Sequence, residues 1–419
     1  MTGVQTCALP ISVIAAAFGE ADRRDPGHQR EWVILIDGNN TQIEAARGSV
    51  DAAGAAITRA TGVRIGKRQL EEMVRRAAAH VEAFYLSRVI KPASDGHPLV
   101  LTFDGKGIVM LPDALRPATA KAAAAAEGKL ATRLSPGEKH GRKRMAELAC
   151  VYDAVPVPRA PEDIISTPAQ KRRKKKAQAA KAEGKGKPRE PQARGKWLTA
   201  SVTDDIPAVI AAAFGEADRR DPGHQREWVI LIDGNNTQIE AVTAEAGSRG
   251  ITVTIVIDFI HVLGYLWKAA WSFYDKGEPA SEEWVADQAR KILHGKARQV
   301  AAGIRRRATT YGYSPAERAG AGECARYLDN KKDHLDYARA LKKGWPIATG
   351  IIEGACRHIV KDRMDITGAR WGLEGAEAIL RLRALIASGD FDAYWHYHLR
   401  REHQRIHHAK YRETYTLAA

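Results

Sequence analysis

VILIDGNN (229–236), followed by VTIVIDFIHVLGYLWKAAW (253–271), decides how the rest of the chain reads. Apolar β-formers run straight into Asp233, and a second such run ends at Asp258. Each aspartate stands where a buried strand gives way to a polar turn or a helix. Open α/β sheets hold their ligands at that edge, outside the carboxyl ends of the strands. His261 follows Asp258 by about one helical turn, so the spacing predicts that both side chains face one cleft. Acids aligned at strand ends point to a divalent-metal site and phosphoryl chemistry. Residues 13–45 repeat residues 209–241 letter for letter, which makes Asp37 a second copy of Asp233.

The chain has 419 residues, room for two or three domains, and a hydrophobic content of 44% supports a real core. No apolar run reaches the roughly 20 residues of a membrane span, so a membrane partner is not expected. A formal charge of +15 and a pI near 9.6 favour a polyanionic partner, nucleic acid before membrane; a soluble protein that is merely basic is the plain alternative. Cys7, Cys150, Cys324 and Cys356 are scattered with no CxxC pair, which suggests neither a disulfide framework nor a zinc finger and fits a reducing cytoplasm.

MTGVQTCALPIS (1–12) resembles a translated sequencing adapter and lacks the basic start and apolar core of a signal peptide. With the verbatim copy behind it, residues 1–45 are expected to be an artefact of the record rather than a domain. Residues 46–92 read as two helices, near 49–60 and 66–86, joined by TGVRIG, with Arg64, Lys67 and Arg68 as candidate DNA contacts. That is a helix-turn-helix-like pattern, equally open to a structural hairpin. HPLVLTFDGKGIVM (97–110), MAELACVYDAV (145–155) and KWLTASV (196–202) read as three strands. Between the last two, 156–196 is a proline-rich linker in which ten Lys or Arg face one acid, Glu183, over 171–189. Such a run is a solvated loop that can also grip phosphates without sequence preference.

Asp204 or Asp205 then caps a helix, and the strands ending at Asp233 and Asp258 follow, separated by a helix over about 237–248. The first part of an α/β core thus spans 97–258, an α-helical insertion 259–344, and C-terminal helices 345–419 complete the core. Trp267 and Trp271, like Trp371 and Trp395, read as core side chains rather than a base-stacking surface.

Two-metal phosphoryl transfer needs hard oxygen ligands around a pair of ions roughly 3.5–4 Å apart. Asp104 and Asp233 each follow apolar β-residues and precede a glycine, which leaves space for a substrate. Glu353 is the best third ligand, its helix presenting Glu353 and Arg357 on one face; Asp362, Asp365, Glu374 and Glu377 compete for the role.

From about 46 to 411 the chain resembles an insertion-sequence transposase of the ISKra type, within the DDE superfamily. LTFDGKGIVM (101–110), LSPGEKHGRKRMAELACVYD (134–153), ILIDGNN (230–236), DFIHVLGYLWKAAW (258–271), the long run 345–385 and DFDAYWHYH (390–398) carry the resemblance. It implies an RNase H-like mixed sheet with an α-helical insertion, and a catalytic, metal-binding triad of Asp104, Asp233 and Glu353. Two Mg2+ or Mn2+ ions are implied, with Asp258 and His261 as auxiliary residues. His261 would contact a phosphate or orient Asp258; the alternative is a helix-capping Asp with a satisfied histidine. Arg357, His358, Lys361 and Arg363 are expected near backbone phosphates. The implied activity is metal-dependent cleavage of a mobile element's DNA ends and strand transfer into target DNA. A homo-oligomer on DNA, associated with the bacterial nucleoid, goes with it. The competing readings are a DNA-binding protein with structural acids, an RNase H-like nuclease that does not join, and an inactive misassembled fragment.

Overall fold

The computed structural model describes residues 54–55, 57–59, 62–90, 96–125, 141–165, 190–275, 277–366 and 368–408. The copied segment, the adapter-like start, the first helix over most of its length and the basic run 171–189 lie outside these residues.

Five strands form one sheet: β1 (Leu99–Met110), β2 (Arg142–Val155), β3 (Gln192–Ser201), β4 (Trp228–Ile232) and β5 (Val253–Ile257), in the order β3-β2-β1-β4-β5. The first three pair antiparallel, while β4 lies parallel to β1 and β5 parallel to β4. This mixed topology is that of an RNase H-like α/β fold, as the resemblance implied. All five residues of β4, WVILI, are buried, which a strand achieves only when both sheet faces are covered. The expected strands are present, although β2 begins at Arg142 and β3 at Gln192.

Helices α1 (Lys67–Ala78) and α2 (Val81–Ser87) precede the sheet, and a short α3 (Pro117–Ala124) follows β1. The sequence predicted a single helix over 66–86; instead the chain breaks at His80, whose φ and ψ of −107° and 11° leave the helical region. The apolar stripe of α1, Leu70, Val74, Ala77 and Ala78, is buried. It packs on the C-terminal part of the chain, where Arg75 meets Glu374 at 2.8 Å and the Tyr394 hydroxyl donates to the Ala77 carbonyl.

After β3, α4 (Ile206–Arg220) packs across β1 to β3. Asp205, not Asp204, caps it by accepting the Ala208 N–H at 3.0 Å. The helix α5 (Asn236–Arg249) links β4 to β5. Then come α6 (Phe259–Ala270), α7 (Pro279–Leu293), α8 (Ala297–Thr310), α9 (Ala319–Asn330) and α10 (Tyr337–Lys343), the helical insertion. Its basic residues are not all solvated: Arg305 pairs with Asp329, and the Arg307 guanidinium lies 4.5 Å from the centre of the Phe273 ring. Trp267 is half-buried against the core, but Trp271 is 43% exposed and stacks on it, so only the first matches the core assignment.

The linker is shorter than its prolines suggested. Val157 and Arg159 donate their N–H groups to the Gly344 and Leu341 carbonyls, which ties residues 157–159 to the end of α10. A side chain at Gly344 would stand 2.5 Å from the Val157 nitrogen, and its φ of +76° suits glycine.

The chain ends with α11 (Gly350–Ala355), continued by a π-helical turn over Cys356–Lys361, then α12 (Leu373–Ser388) and α13 (Phe391–His403). Trp371 is joined to the tip of β1 by hydrogen bonds with Val109 and Leu111, and Trp395 is buried, so both serve packing.

His80 and His398 join the N-terminal helices to α13, their Nδ1 atoms 3.0 Å apart. Burial first, then the neighbouring His80, holds His398 down to about 4 from an ordinary 6.5, and burial lowers His80 too. Both are therefore neutral in the folded protein at neutral pH. As pH falls through 6.5 toward 4, the unfolded chain binds protons that the folded one refuses, so stability declines in that window. The melting temperature of the wild type is expected to drop across this range more steeply than that of His398→Gln, measured in parallel scans.

Candidate active site

The register of the parallel strands builds the site. β1 pairs with β4 from Leu99–Trp228 to Thr102–Leu231, and two residues further in the same register Asp104 comes level with Asp233. β4 pairs with β5 up to Ile232–Ile257, so one step on Asp233 is level with Asp258. Neighbouring strands lie about 4.8 Å apart, so this row brings three aspartates to one sheet edge. β1 runs on to Met110 against β2 alone, because β4 ends at Ile232. The opening beside Asp104 follows from that ending.

Asp104 is half-buried, and its Oδ1 accepts the Gly105 N–H at 2.7 Å. Burial pushes its carboxyl above the ordinary aspartate range, and the negative charges of Asp233 and Glu353 push the same way. Hydrogen bonds from the Cys356 thiol and Gly105 oppose them. Glu353 is therefore within electrostatic reach of Asp104 although it comes from α11. Its competitors are engaged elsewhere. Asp362 faces Arg357 and His358, Asp365 meets Lys143, Glu374 meets Arg75, and Glu377 is buried beneath the end of β3, accepting the Val202 N–H at 2.8 Å.

Asp233 is half-buried and accepts the Asn235 N–H at 2.9 Å, while Asn235 caps α5 through the Thr237 N–H. Two residues of α9 and its end close over it. The Tyr327 hydroxyl donates to the Asp233 carbonyl at 3.1 Å. The buried Lys331 ammonium reaches the Asn236 side chain; burial lowers its pKa, and the charges of Asp233 and Glu240 partly restore it.

Asp258 does not face a cleft. It is 1% exposed, caps α6 by accepting the Ile260 N–H at 3.0 Å, and accepts the Thr349 N–H at 3.3 Å. Burial raises its carboxyl above the usual range, and Glu353 adds repulsion. His261 is exposed, its ring 5.9 Å from that of Tyr265, so Asp258 is oriented by Ile260 and Thr349 rather than by the histidine. The two therefore do not share one face as the spacing predicted.

Arg64, Lys67 and Arg68 lie exposed at the start of α1, and Arg357, His358 and Lys361 are exposed on the turn after Glu353. Arg363 departs from its expected role: it is 7% exposed and stacked 4.8 Å over Trp371, away from a phosphate-facing surface. A cavity of about 510 Å3 lies along a different face of α11 from Glu353, bordered by Lys196, Leu198, Gly354, His358 and Arg383. It is separate from the acids.

Sequence reading missed Glu147, Tyr327, Lys331, Thr349 and Cys356. Glu147 stands opposite Gly105 on β2, where burial raises its carboxyl and Asp104 adds repulsion. Nothing in the sequence around Tyr327 or Lys331 marks either as part of the site. Thr349, one helical turn before Glu353, carried the only readable signal.

As a donor set, Asp104, Asp233 and Glu353 fit a divalent cation: three hard-oxygen carboxylates whose mutual repulsion a cation would relieve. In this structure each carboxylate is turned to a protein donor. Among the described residues, no group of three or more His, Cys, Asp or Glu side chains is placed to hold a metal ion as it stands.

The chain matches no protein-family model and no curated protein sequence. Among solved structures it is similar to the Drosophila P element transposase strand transfer complex, at 11% identity and a TM-score of 0.28, covering 93% of this chain and 87% of that one. A superposition that loose carries no argument about activity. No helix among the described residues is long and apolar enough to cross a membrane.

The turn at Gly234 offers a direct check. Its φ is +92°, and a Cβ there would stand 2.6 Å from the Tyr327 hydroxyl. Gly234→Ala is expected to cost about 1–3 kcal/mol through backbone strain, plus the displacement of Tyr327. Adding Tyr327→Phe makes room but leaves the strain, so thermal denaturation should show partial recovery only.

Proposed function

We propose that the protein is a DNA-processing enzyme of the transposase type, cutting and joining phosphodiesters with Asp104, Asp233 and Glu353 as its divalent-metal ligands. The observation that carries this reading is that Asp104, midway along β1, comes level with Asp233 just past the carboxyl end of the parallel strand β4, with Glu353 within reach of the same charge. The net charge of +15 supports DNA as the partner. One or two Mg2+ or Mn2+ ions, held by these three carboxylates, would supply Lewis-acid activation of water and of the scissile phosphate.

The chain's own residues do the rest. Asp104 and Asp233 present carboxylates at the opening left by β4, while Gly105 and Gly234 let Glu147 and Tyr327 pack close beside them. Lys331 holds a positive charge behind Asp233 and limits the cost of gathering acids there. Arg64, Lys67, Arg68, Arg357, His358 and Lys361 are exposed and suited to hold backbone phosphates, which fix orientation without reading sequence. A terminal hydroxyl released by the first cut would then serve as nucleophile for joining. Assembly of two or more copies on paired DNA ends goes with this reading.

Asp104→Asn, Asp233→Asn and Glu353→Gln are each expected to lower magnesium-dependent cleavage by more than about 100-fold, beyond what outer positions around a metal cost, with DNA binding retained. Products resolved on denaturing gels separate joining from cutting alone, and undiminished cleavage in any one variant removes that residue from the site. A second measurement needs no DNA. Because Asp104 is raised by burial and by neighbouring acids, ionising it disfavours the fold, and magnesium should raise the melting temperature near neutral pH. That increment should shrink in Asp104→Asn.

A further inference from the structure

We infer that Thr349 is the positioning residue for Glu353, and that Asp258 acts through it rather than as a metal ligand. The inference rests on the metal-dependent reading of the three acids and adds how the third is brought to the other two.

Thr349 immediately precedes α11, where a threonine hydroxyl ordinarily accepts a backbone N–H of the first turn. Here it makes no such cap. The hydroxyl donates instead to Glu353 Oε1 at 3.0 Å, while the Thr349 N–H donates to Asp258 Oδ1 at 3.3 Å. Thr349 is 4% exposed, and the segment before it is fastened to the end of β5 by the Phe259 N–H, which donates to the Ile347 carbonyl at 2.8 Å. The position of Asp258, fixed by strand register, is thus handed to Glu353 through one residue.

Thr349 thus serves both acids at once, its N–H held by Asp258 and its hydroxyl donating to Glu353. The bond engages Oε1, and a carboxylate has a second oxygen with which to meet a cation while Thr349 keeps its hold. Thr349 therefore holds Glu353 beside the site without trapping it.

Thr349→Val keeps shape and burial but deletes the donor; Thr349→Ser keeps it. The valine variant is expected to need roughly 10-fold more magnesium for half-maximal cleavage and to cleave 10–100-fold more slowly at saturation, as outer positions around a metal do. The serine variant should recover most of the loss. A crystal structure of Thr349→Val should show the Glu353 carboxylate displaced. Wild-type magnesium dependence together with an unmoved Glu353 overturns the inference while leaving the enzyme reading intact. If the wild type cleaves no DNA, that reading fails, and the Glu353 position in the two crystal structures still decides the role of Thr349. Should the valine variant not fold, Asp258→Asn takes its place: it weakens the same link, and an unchanged magnesium requirement counts against it.

Discussion

The parallel pairing of β1 with β4 is the constraint on which the rest depends. Strand register is fixed wherever the faces are buried, because a slip of one residue turns every side chain to the wrong face. β1 and β4 are buried on nearly every residue up to the edge. Asp104 cannot then be anywhere but level with Asp233. Two acids held at one edge repel each other, and their positions come from the apolar residues beneath them rather than from any attraction between them.

The remaining parts answer that repulsion or exploit it. α9 brings the Tyr327 hydroxyl and the Lys331 ammonium to the turn after β4, so the insertion belongs to the site's construction. α11 arrives from the far end of the chain and is steadied by the Asp258–Thr349 link. Directly behind Glu353 the helix widens into a π turn, and Arg383 donates to the His358 and Ile359 carbonyls there. Such turns occur frequently at functional sites, where one extra residue re-aims a side chain. Here the widened turn begins at Cys356, which is buried.

Strands and their order were legible because short runs such as VILI and VTIVI are unambiguous in length and β-branching. Asp233 and Asp258 were legible as strand-end acids and Asp104 as an acid within a strand, but not as one row, since register is a tertiary fact. Glu353 could not be separated from Asp362, Asp365, Glu374 and Glu377 by spacing, because the partners that engage Asp365, Glu374 and Glu377 lie elsewhere in the fold. Arg363 was expected at backbone phosphates because of its charge, and packing buried it instead. The break at His80 carries no glycine or proline, and tertiary contacts with α13 decide it.

The parallel pairing of β1 with β4 also governs how the chain must be made. β1 and β2 form a local pair, yet the parallel edge of β1 finds its partner only when residues 228–232 have been synthesised. At 5–20 residues per second, that edge waits on the order of ten seconds, apolar and unpaired, after β1 itself emerges. An exposed strand edge of this kind is a template for pairing with other chains. The arrangement that later holds the two acids level therefore makes the nascent protein prone to self-association, and its yield in the cell should depend on chaperones that shelter that one edge.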